Sequence, residues 1–440
     1  MNGLHICFFT DQHPDTLGGA QASVQLQRTF LERAGHTVTI VAPRSPVVPA
    51  ADPDVVALPD PDVVALPGPT VARGQYTAAL PGRRLDALVD RELAARGPVD
   101  VVHLQGDFWG AWLGKRFAAR HGLPVVLTTH TNVDASFRAV AGPLAGIGLG
   151  AVAAWQRAVT GHLTARPARR SGLGAGYDYL RALASGAAAV VAPSAHFAAR
   201  LEAAGVPVTA VVPTGVHDDD VHGLRDGGHA DGRPGRRTPR RPGDPVRVVW
   251  LSRFSAEKRP LELLDALAAT DLRVEADLYG TGVLFERARR RVHALGLADR
   301  VRLHGAVGHA EALRAIAAAD LLVQTSQGFE TQGMTVYEAL ALGVPVVVRD
   351  PDIAHELGGA GWVRHAPGRS AASLASALDA AAQALGTQAL PRVPGTVSAG
   401  LLQSAQTRRL LDVYAGVLGG GAQAGAPTGT ADAVTADPRP

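Results

Sequence analysis

From Ser326 to Glu338 the chain reads Ser-Gln-Gly-Phe-Glu-Thr-Gln-Gly-Met-Thr-Val-Tyr-Glu, with two carboxylates, Glu330 and Glu338, eight residues apart. An ionised carboxylate only accepts hydrogen bonds, and its two oxygens suit it to a pair of sugar hydroxyls. Upstream, Leu321-Leu322-Val323 reads as a short buried strand. Downstream, Ala339 to Leu342 continues a helix that Gly343 stops, and the run to Val348 opens another strand. The loop therefore ends where the amides of Gly333, Met334 and Thr335 open a helix, a seat for a phosphate. Glu330 is placed to reach hydroxyls on whatever hangs from that phosphate. Glu338, at most two turns into the helix, can reach a diol such as a ribose. A capping Glu and a solvated helix Glu are the plain alternative, but the flanking Val336, Ala339 and Leu340 predict a half-buried Glu338.

Other groups sit at the same kind of junction. Arg253 and Lys258 follow the strand expected at 246–251, where fixed cations can offset charge on a departing phosphate. Lys115 and Lys258 are the only lysines among many arginines; Lys115 reads as a chance residue on a surface helix, whereas the placing of Lys258 is suggestive. His130 ends the strand begun at Val125 and either faces a ligand or bonds loop carbonyls. Gly18-Gly19 joins the first strand to its helix and serves equally a tight turn or a close approach to ligand. It is not Gly-x-Gly-x-x-Gly, so a dinucleotide fingerprint is missing. Gly280 and Gly282 close a further strand, and Gly305 and Val307 follow the next. No His/Asp cluster occupies a strand end in the manner of a metal site, so no metal or cofactor is expected.

The elements that must position these groups alternate. Strands at 6–9, 38–41, 101–104, 125–128, 189–192 and 210–212 have helices between them, and a second alternation has strands at 246–251, 273–279, 300–304, 321–323 and 345–348. Such a pattern predicts an α/β chain of two facing, doubly wound Rossmann-like domains, with ligands at the strand C-termini and a cleft between. The expected boundaries are an N-terminal acceptor-side domain over 1–216, a flexible linker over 217–244, a C-terminal nucleotide-sugar domain over 245–397, a helix over 398–418 and a disordered tail over 419–440. A near-repeat, Pro53 to Pro59 and then Pro61 to Pro67, reads as a duplicated loop.

Composition narrows the class. The chain is 46% hydrophobic and 19% charged, with net charge +3, so no nucleic-acid partner is expected. The single Cys7 excludes an intramolecular disulfide, and without a basic leader the chain reads as cytoplasmic. From Ala139 to Gln156 no residue is charged, and Arg157, Arg166, Arg169 and Arg170 follow. Glycines and prolines argue against a membrane span. A buried helix or peripheral contact with an anionic bilayer, at the inner face of the plasma membrane, are the two readings.

The Glu-x7-Glu spacing, beginning Glu-Thr-Gln-Gly, resembles the donor-binding motif of family 4 retaining glycosyltransferases, which have the GT-B fold. The resemblance covers most of residues 4–418. It extends to Gly18-Gly19, to Pro213-Thr214-Gly215-Val216, and to Arg253 with Lys258, which match the family's Gly-Arg-x-x-x-x-Lys except that Ser252 replaces the glycine. It implies a nucleotide-sugar donor, Glu330 and His130 at the transferred hexose, Glu338 at the ribose, and Arg253 and Lys258 at the diphosphate. Gly280, Gly282, Gly305, Val307, Gln332, Gly333, Met334 and Thr335 would complete the donor pocket. The Glu-Thr-Gln-Gly variant is similar to that of the diacylglycerol glucosyltransferases, and lipid-directed mannosyltransferases such as the phosphatidylinositol-directed ones share the plan. A hexosyl transfer from UDP-glucose or GDP-mannose to a membrane lipid is thereby implied. Transfer to a soluble acceptor, an epimerase or hydrolase on the same fold, and a non-enzymatic nucleotide-binding regulator are the rivals. Donor turnover without added acceptor separates the epimerase or hydrolase, while Glu330, Arg253, Lys258 and His130 together argue against the regulator.

Overall fold

The computed structural model describes residues 3–16, 18–44, 62–71, 76–142, 145–161, 171–226, 244–270, 273–358, 361–387, 390 and 393–419. Among the described residues the chain divides into two compact units, one built from those up to Thr214 together with 406–419, the other from Gly215 to Ala405.

In the first unit the strands are β1 (His5–Phe9), β2 (Thr37–Pro43), β3 (Val63–Leu66), a two-residue pair β4 (Thr70–Val71) and β5 (Tyr76–Thr77), then β6 (Val101–Leu104), β7 (Val125–Thr128), β8 (Ala189–Ala192) and β9 (Ala210–Val211). Seven of them form one sheet in the order β3-β2-β1-β6-β7-β8-β9, with every pairing parallel. Parallel strands are covered on both faces, which explains their unbroken apolar runs. Cys7, Phe9 and Leu104 pack on one side with Trp112 and Phe117, and Ile6, Phe8 and Ile40 on the other with Leu410 and Tyr414. These last two lie on the helix Gln403–Leu418, so the end of the chain covers the first sheet.

The second unit carries β10 (Val246–Leu251), β11 (Val274–Tyr279), β12 (Val301–Gly305), β13 (Leu321–Gln324), β14 (Val346–Val348) and β15 (Val363–His365) in the order β12-β11-β10-β13-β14-β15, again all parallel. Two doubly wound α/β units, the plan of the GT-B fold, are therefore present. In each sheet the order reverses once, between β1 and β6 and between β10 and β13. At such a reversal successive crossovers leave toward opposite faces, and the loops leaving the two strands stand side by side.

Several expectations need correction. The start of the expected linker is a helix, Asp218–Asp226. Its three aspartates occupy the first turn, where negative charge offsets the helix's positive end, and Val221 and Leu224 pack against Leu313 and Ile316. Residues 227–243, including the Arg236 to Arg241 cluster, lie outside the described residues, as does the tail from 420. The second copy of the duplicated loop is not a loop: Val63–Leu66 is the edge strand β3 beside β2, its β-branched residues suited to the pleat; most of the first copy lies outside the described residues. β15 escaped sequence reading because three residues carry too little pattern. The expected uncharged segment is two helices, Val133–Ala141 and Ala145–Thr160. The second buries Leu149 and Gln156 while Ile147 is 73% and Trp155 38% exposed. Among the described residues no helix is long and apolar enough to cross a membrane. Arg166, Arg169 and Arg170 lie outside them.

Lys115 is not a surface residue. It is 4% exposed, and its Nζ donates to the carbonyls of Leu183 and Ser185 at 2.6 Å each. These carbonyls close the helix Ala175–Ala184, where a cation meets the negative end of the helix dipole. Burial lowers its ammonium to about 8. Replacing Lys115 with Met removes both charge-assisted bonds and leaves the carbonyls unpaired. We expect a loss of about 2–3 kcal/mol of stability, read as a lower urea midpoint at unchanged slope.

Candidate functional site

In the second unit the reversal between β10 and β13 joins two loops that are far apart in sequence. The β10 loop passes through Arg253 and a single turn of 3-10 helix, Ala256–Lys258, before the helix Pro260–Ala269. Thr325, just after β13, binds it: its hydroxyl accepts from Trp250 Nε1 at 2.8 Å and donates to the carbonyl of Lys258 at 2.5 Å. Lys258 Nζ then donates to Glu330 Oε1, which also accepts from Ser326 Oγ at 2.5 Å. The ammonium lies 5.0 Å from the Phe329 ring centroid. Burial raises the Glu330 carboxyl, but the Lys258 charge and the bonds from Lys258 and Ser326 outweigh it, with Arg253 adding to them. The carboxyl is held below its ordinary value and ionised.

The Glu330 loop is clamped from beneath. Gly328 N donates to Asp350 Oδ2 at 2.7 Å, and Gln327 Nε2 donates to the carbonyls of Arg349 and Gly368 at 3.0 and 2.8 Å. Buried Arg349 in turn donates to the carbonyls of Gly368 and Ser370 at 3.0 Å. Gly333 leaves the loop at φ 83°, a left-handed conformation glycine adopts at little cost, and caps the helix Met334–Ala341. Gln332 is buried while Met334 and Thr335 are half-buried at its first turn. Glu338 lies deeper than its neighbours suggested, at 7% exposure. Burial raises its carboxyl, opposed by His309, whose Nδ1 is 3.8 Å away.

Arg253 points outward, 68% exposed, with Nη2 3.4 Å from Glu257 Oε1. The glycines after β11 seat its loop: a Cβ at Gly280 would stand 1.9 Å from the Ser252 carbonyl oxygen, and one at Gly282 would stand 2.6 Å from that of Phe254. Gly280 N also donates to the Gly305 carbonyl at 2.6 Å, tying in the β12 turn that leads to half-buried Val307. Lys258, Glu330 and Arg253 are thus brought to one place, and Glu338 is set beside His309 on the helix beyond.

The first unit has its own cavity, about 230 Å³, at the reversal between β1 and β6. Asp11, Gln21, Gln105, Asp107, Trp109 and His130 line it. Gly18 is extended at φ 163° and Gly19 starts the helix Gly19–Arg33; it is the following Ala20 and Gln21 that reach the cavity wall. Asp11 accepts from the amides of Asp107, Phe108 and Gly110 at 2.6, 3.0 and 2.9 Å and so caps the helix Trp109–His121 from another loop. Asp107 Oδ2 accepts from His130 N at 3.2 Å. Burial and neighbouring Asp11 raise the Asp107 carboxyl to about 7. His130 Nε2 lies 2.7 Å from Gln105 Oε1, and burial lowers the imidazole to about 4, so it is neutral at pH 7. Sequence reading missed Gln105, Asp107 and Asp11, although Gln105 and Asp107 directly follow a strand, the signal that selected His130. His309 carried none, because its role exists only through a contact remote in sequence. Among the described residues no three His, Cys, Asp or Glu side chains converge as metal ligands.

Two doubly wound units, each with polar groups gathered at its sheet reversal, define the GT-B class. Residues 17–220 match the model of glycosyltransferase family 4, and residues 235–382 that of the glycosyl transferases group 1. The chain belongs to the family 4 glycosyltransferases and is a glycosyltransferase. It is 24% identical over 374 residues to a phosphatidyl-myo-inositol mannosyltransferase of Mycobacterium leprae, covering 83% of each chain. It is also 24% identical over 369 residues to an alpha-monoglucosyldiacylglycerol synthase of Streptococcus pneumoniae, covering 78% of this chain and 70% of that one. A shorter match, 31% identical over 118 residues, covers 25% of this chain but only 21% of the GtfA subunit of a Streptococcus gordonii peptide N-acetylglucosaminyltransferase. The fold is shared with HepE of Anabaena, solved with UDP and glucose, at TM-score 0.59 and 18% identity, covering 94% of this chain and 99% of that one.

The buried acid gives a pH test. A carboxyl raised in the folded state contributes stability that is fully present below its unfolded value, 3.8, and lost as pH rises through about 7. Asp107→Asn should therefore gain stability relative to the parent between pH 4 and pH 8. Urea unfolding at both values measures it; an equal difference at the two pH values contradicts the raised acid.

Proposed function

We propose that the enzyme moves a hexose, with retention of configuration, from a nucleotide sugar of the UDP-glucose or GDP-mannose type to a hydroxyl of a membrane lipid. The contact between Lys258 and Glu330 carries this reading. In a nucleotide sugar the hexose and the outer phosphate share one oxygen, so the groups that read them must be neighbours. Here an ammonium for the phosphate and an ionised carboxylate for sugar hydroxyls touch, beside the amides that open the helix Met334–Ala341. Lys258 and the outward Arg253 stabilise charge as the diphosphate leaves, and Glu330, with neutral His130, orients the hexose. No side chain is assigned as a nucleophile. The acceptor attacks from the face the diphosphate leaves, and its proton passes to the leaving phosphate oxygen. Gln332, Gly305 and Val307 belong to the donor pocket in this reading.

The lipid acceptor is supported by the names of the two relatives that cover most of the chain, and the UDP donor by the HepE complex. Peripheral attachment at the inner face of the plasma membrane is supported by exposed Ile147 and Trp155 beside Arg157. Incubation with each nucleotide sugar and a lipid extract, with mass and anomeric analysis of products, tests the reading. A product found only on soluble acceptors overturns the lipid assignment.

Lys258 belongs to a 3-10 turn and is the cation beside buried Glu330, so the fold of Lys258→Ala is checked by circular dichroism, and in the folded variant transfer should slow by ~100-fold. With cations in place of a divalent ion, the parent enzyme's activity should survive exhaustive EDTA. Near-normal turnover in the variant, or an absolute Mg²⁺ requirement in the parent, contradicts the cationic pocket.

The two acids should separate. Glu338→Gln should weaken binding of free UDP or GDP by about 1.5–3 kcal/mol, the range for a hydrogen bond to a charged group. Glu330→Gln should leave that binding nearly intact and depress sugar transfer. Calorimetry paired with turnover decides the matter, and the reverse pattern exchanges the assignments.

A further inference from the structure

A chain of buried amides and hydroxyls ends at His130. The Thr214 hydroxyl donates to Ser23 Oγ at 2.9 Å, and Ser23 Oγ also accepts from Gln27 Nε2 at 3.0 Å. Gln27 Oε1 faces Gln105, whose Nε2 donates to it at 2.5 Å. The same Nε2 lies 3.4 Å from Nδ1 of His103. That ring is bonded at Nε2 to the Thr128 hydroxyl, 2.7 Å, and at Nδ1 to the Tyr414 hydroxyl, 2.6 Å. With Nδ1 as acceptor and Nε2–H as donor, His103 receives both the tyrosine proton and the amide. Ser23, Gln27, Gln105 and His103 are all buried, so water does not compete for these bonds.

Both ends of the Gln105 amide are then assigned. Its nitrogen is committed to Gln27 and His103, so its oxygen is the atom 2.7 Å from His130 Nε2. An amide oxygen only accepts, and a neutral imidazole carries one N–H. We propose that Gln105, itself oriented by Gln27 and Ser23, is a positioning residue that holds His130 as the Nε2–H tautomer, so that the ring meets every other partner through a lone pair on Nδ1. The consequence for the reaction rests on the placing of His130 at the transferred hexose. A sugar hydroxyl reaching this ring gives its proton to Nδ1 and keeps both its own lone pairs for other donors. A hydroxyl free to donate would be read in this way; an ether or a ketone at the same carbon would be refused. Gln105 and Gln27 become residues for the choice of donor sugar, although neither touches it.

The test uses the full chain with ¹⁵N-labelled histidine. Imidazole nitrogen shifts distinguish a protonated from a lone-pair nitrogen, and His130→Gln identifies the signals by their loss. In the parent protein His130 should show Nε2 protonated and Nδ1 unprotonated at pH 7. Gln105→Leu, which removes the acceptor, should give a mixture of tautomers and lower kcat for transfer by about tenfold, with affinity for free UDP or GDP unchanged. Gln27→Leu, which frees the Gln105 amide to turn, should do the same more weakly. An Nδ1–H tautomer in the parent protein overturns the proposal whatever the variants do, as does a Gln105→Leu protein with an unchanged tautomer. The placing of His130 at the sugar fails separately: it is wrong if His130→Gln transfers sugar at the parent rate, a result that leaves the tautomer measurement standing.

Discussion

The ion pair between Lys258 and Glu330 is the contact on which the rest of the second unit's site depends. The two residues belong to different loops, and each loop is shaped to bring its charge to the other. Thr325 links Trp250 and the Lys258 carbonyl, and Ser326 adds a hydroxyl to the carboxylate. Burial opposes the ionised Glu330, and the ammonium reverses that preference. Once paired, the two form a fixed dipole whose positive end can stabilise phosphate oxygens and whose negative end can accept from hydroxyls. A nucleotide sugar presents both, joined through one oxygen.

The sheet topology makes that pair possible. Chain order reverses between β10 and β13, so the loops leaving them stand together although Lys258 and Glu330 are widely separated in sequence. The same reversal between β1 and β6 gathers Asp11, Asp107, Gln105 and His130 around the first unit's cavity. The electrostatics of the two places differ. Around Glu330 the acid is matched by a cation and remains charged. Around Asp107 burial, and then the neighbouring Asp11 carboxylate, push that acid upward toward neutrality, and His130 stays neutral through burial. One unit concentrates charge and the other suppresses it. A charged leaving group suits the first, and an uncharged hydroxyl suits the second.

Support for the Glu330 site comes from glycines and buried polar groups as much as from the charged residues. Gly280 and Gly282 let the β11 turn lie against the Arg253 loop at distances no side chain permits. Asp350 holds Gly328 while capping the helix Pro351–Leu357, with Asp352 N at 3.0 Å from its Oδ1. Such residues carry the geometry, and their loss would move a charged side chain that is itself unchanged.

The alternation of apolar runs with helical segments was enough to give two doubly wound units, because a strand buried on both faces must be apolar throughout. Local sequence also placed Glu330, Lys258, Arg253 and His130 at strand ends, since a loop that follows such a strand is recognisable from its glycines and polar residues. Tertiary structure decided the partners. Lys115 looked solvated because its own helix does not show the Leu183 and Ser185 carbonyls it serves. The segment from Asp218 looked like a linker because Val221 and Leu224 make an apolar face only against Leu313 and Ile316. Glu338 looked half-buried because its neighbours in sequence cannot report the depth of packing around it. Gln105, Asp107 and His309 were passed over because a lone polar residue acquires a role only from groups brought to it by folding. Sequence determines a residue's periodicity and its place at a strand end or a helix start. The burial and charge that set its chemistry come from parts of the chain that only the folded sheet brings near.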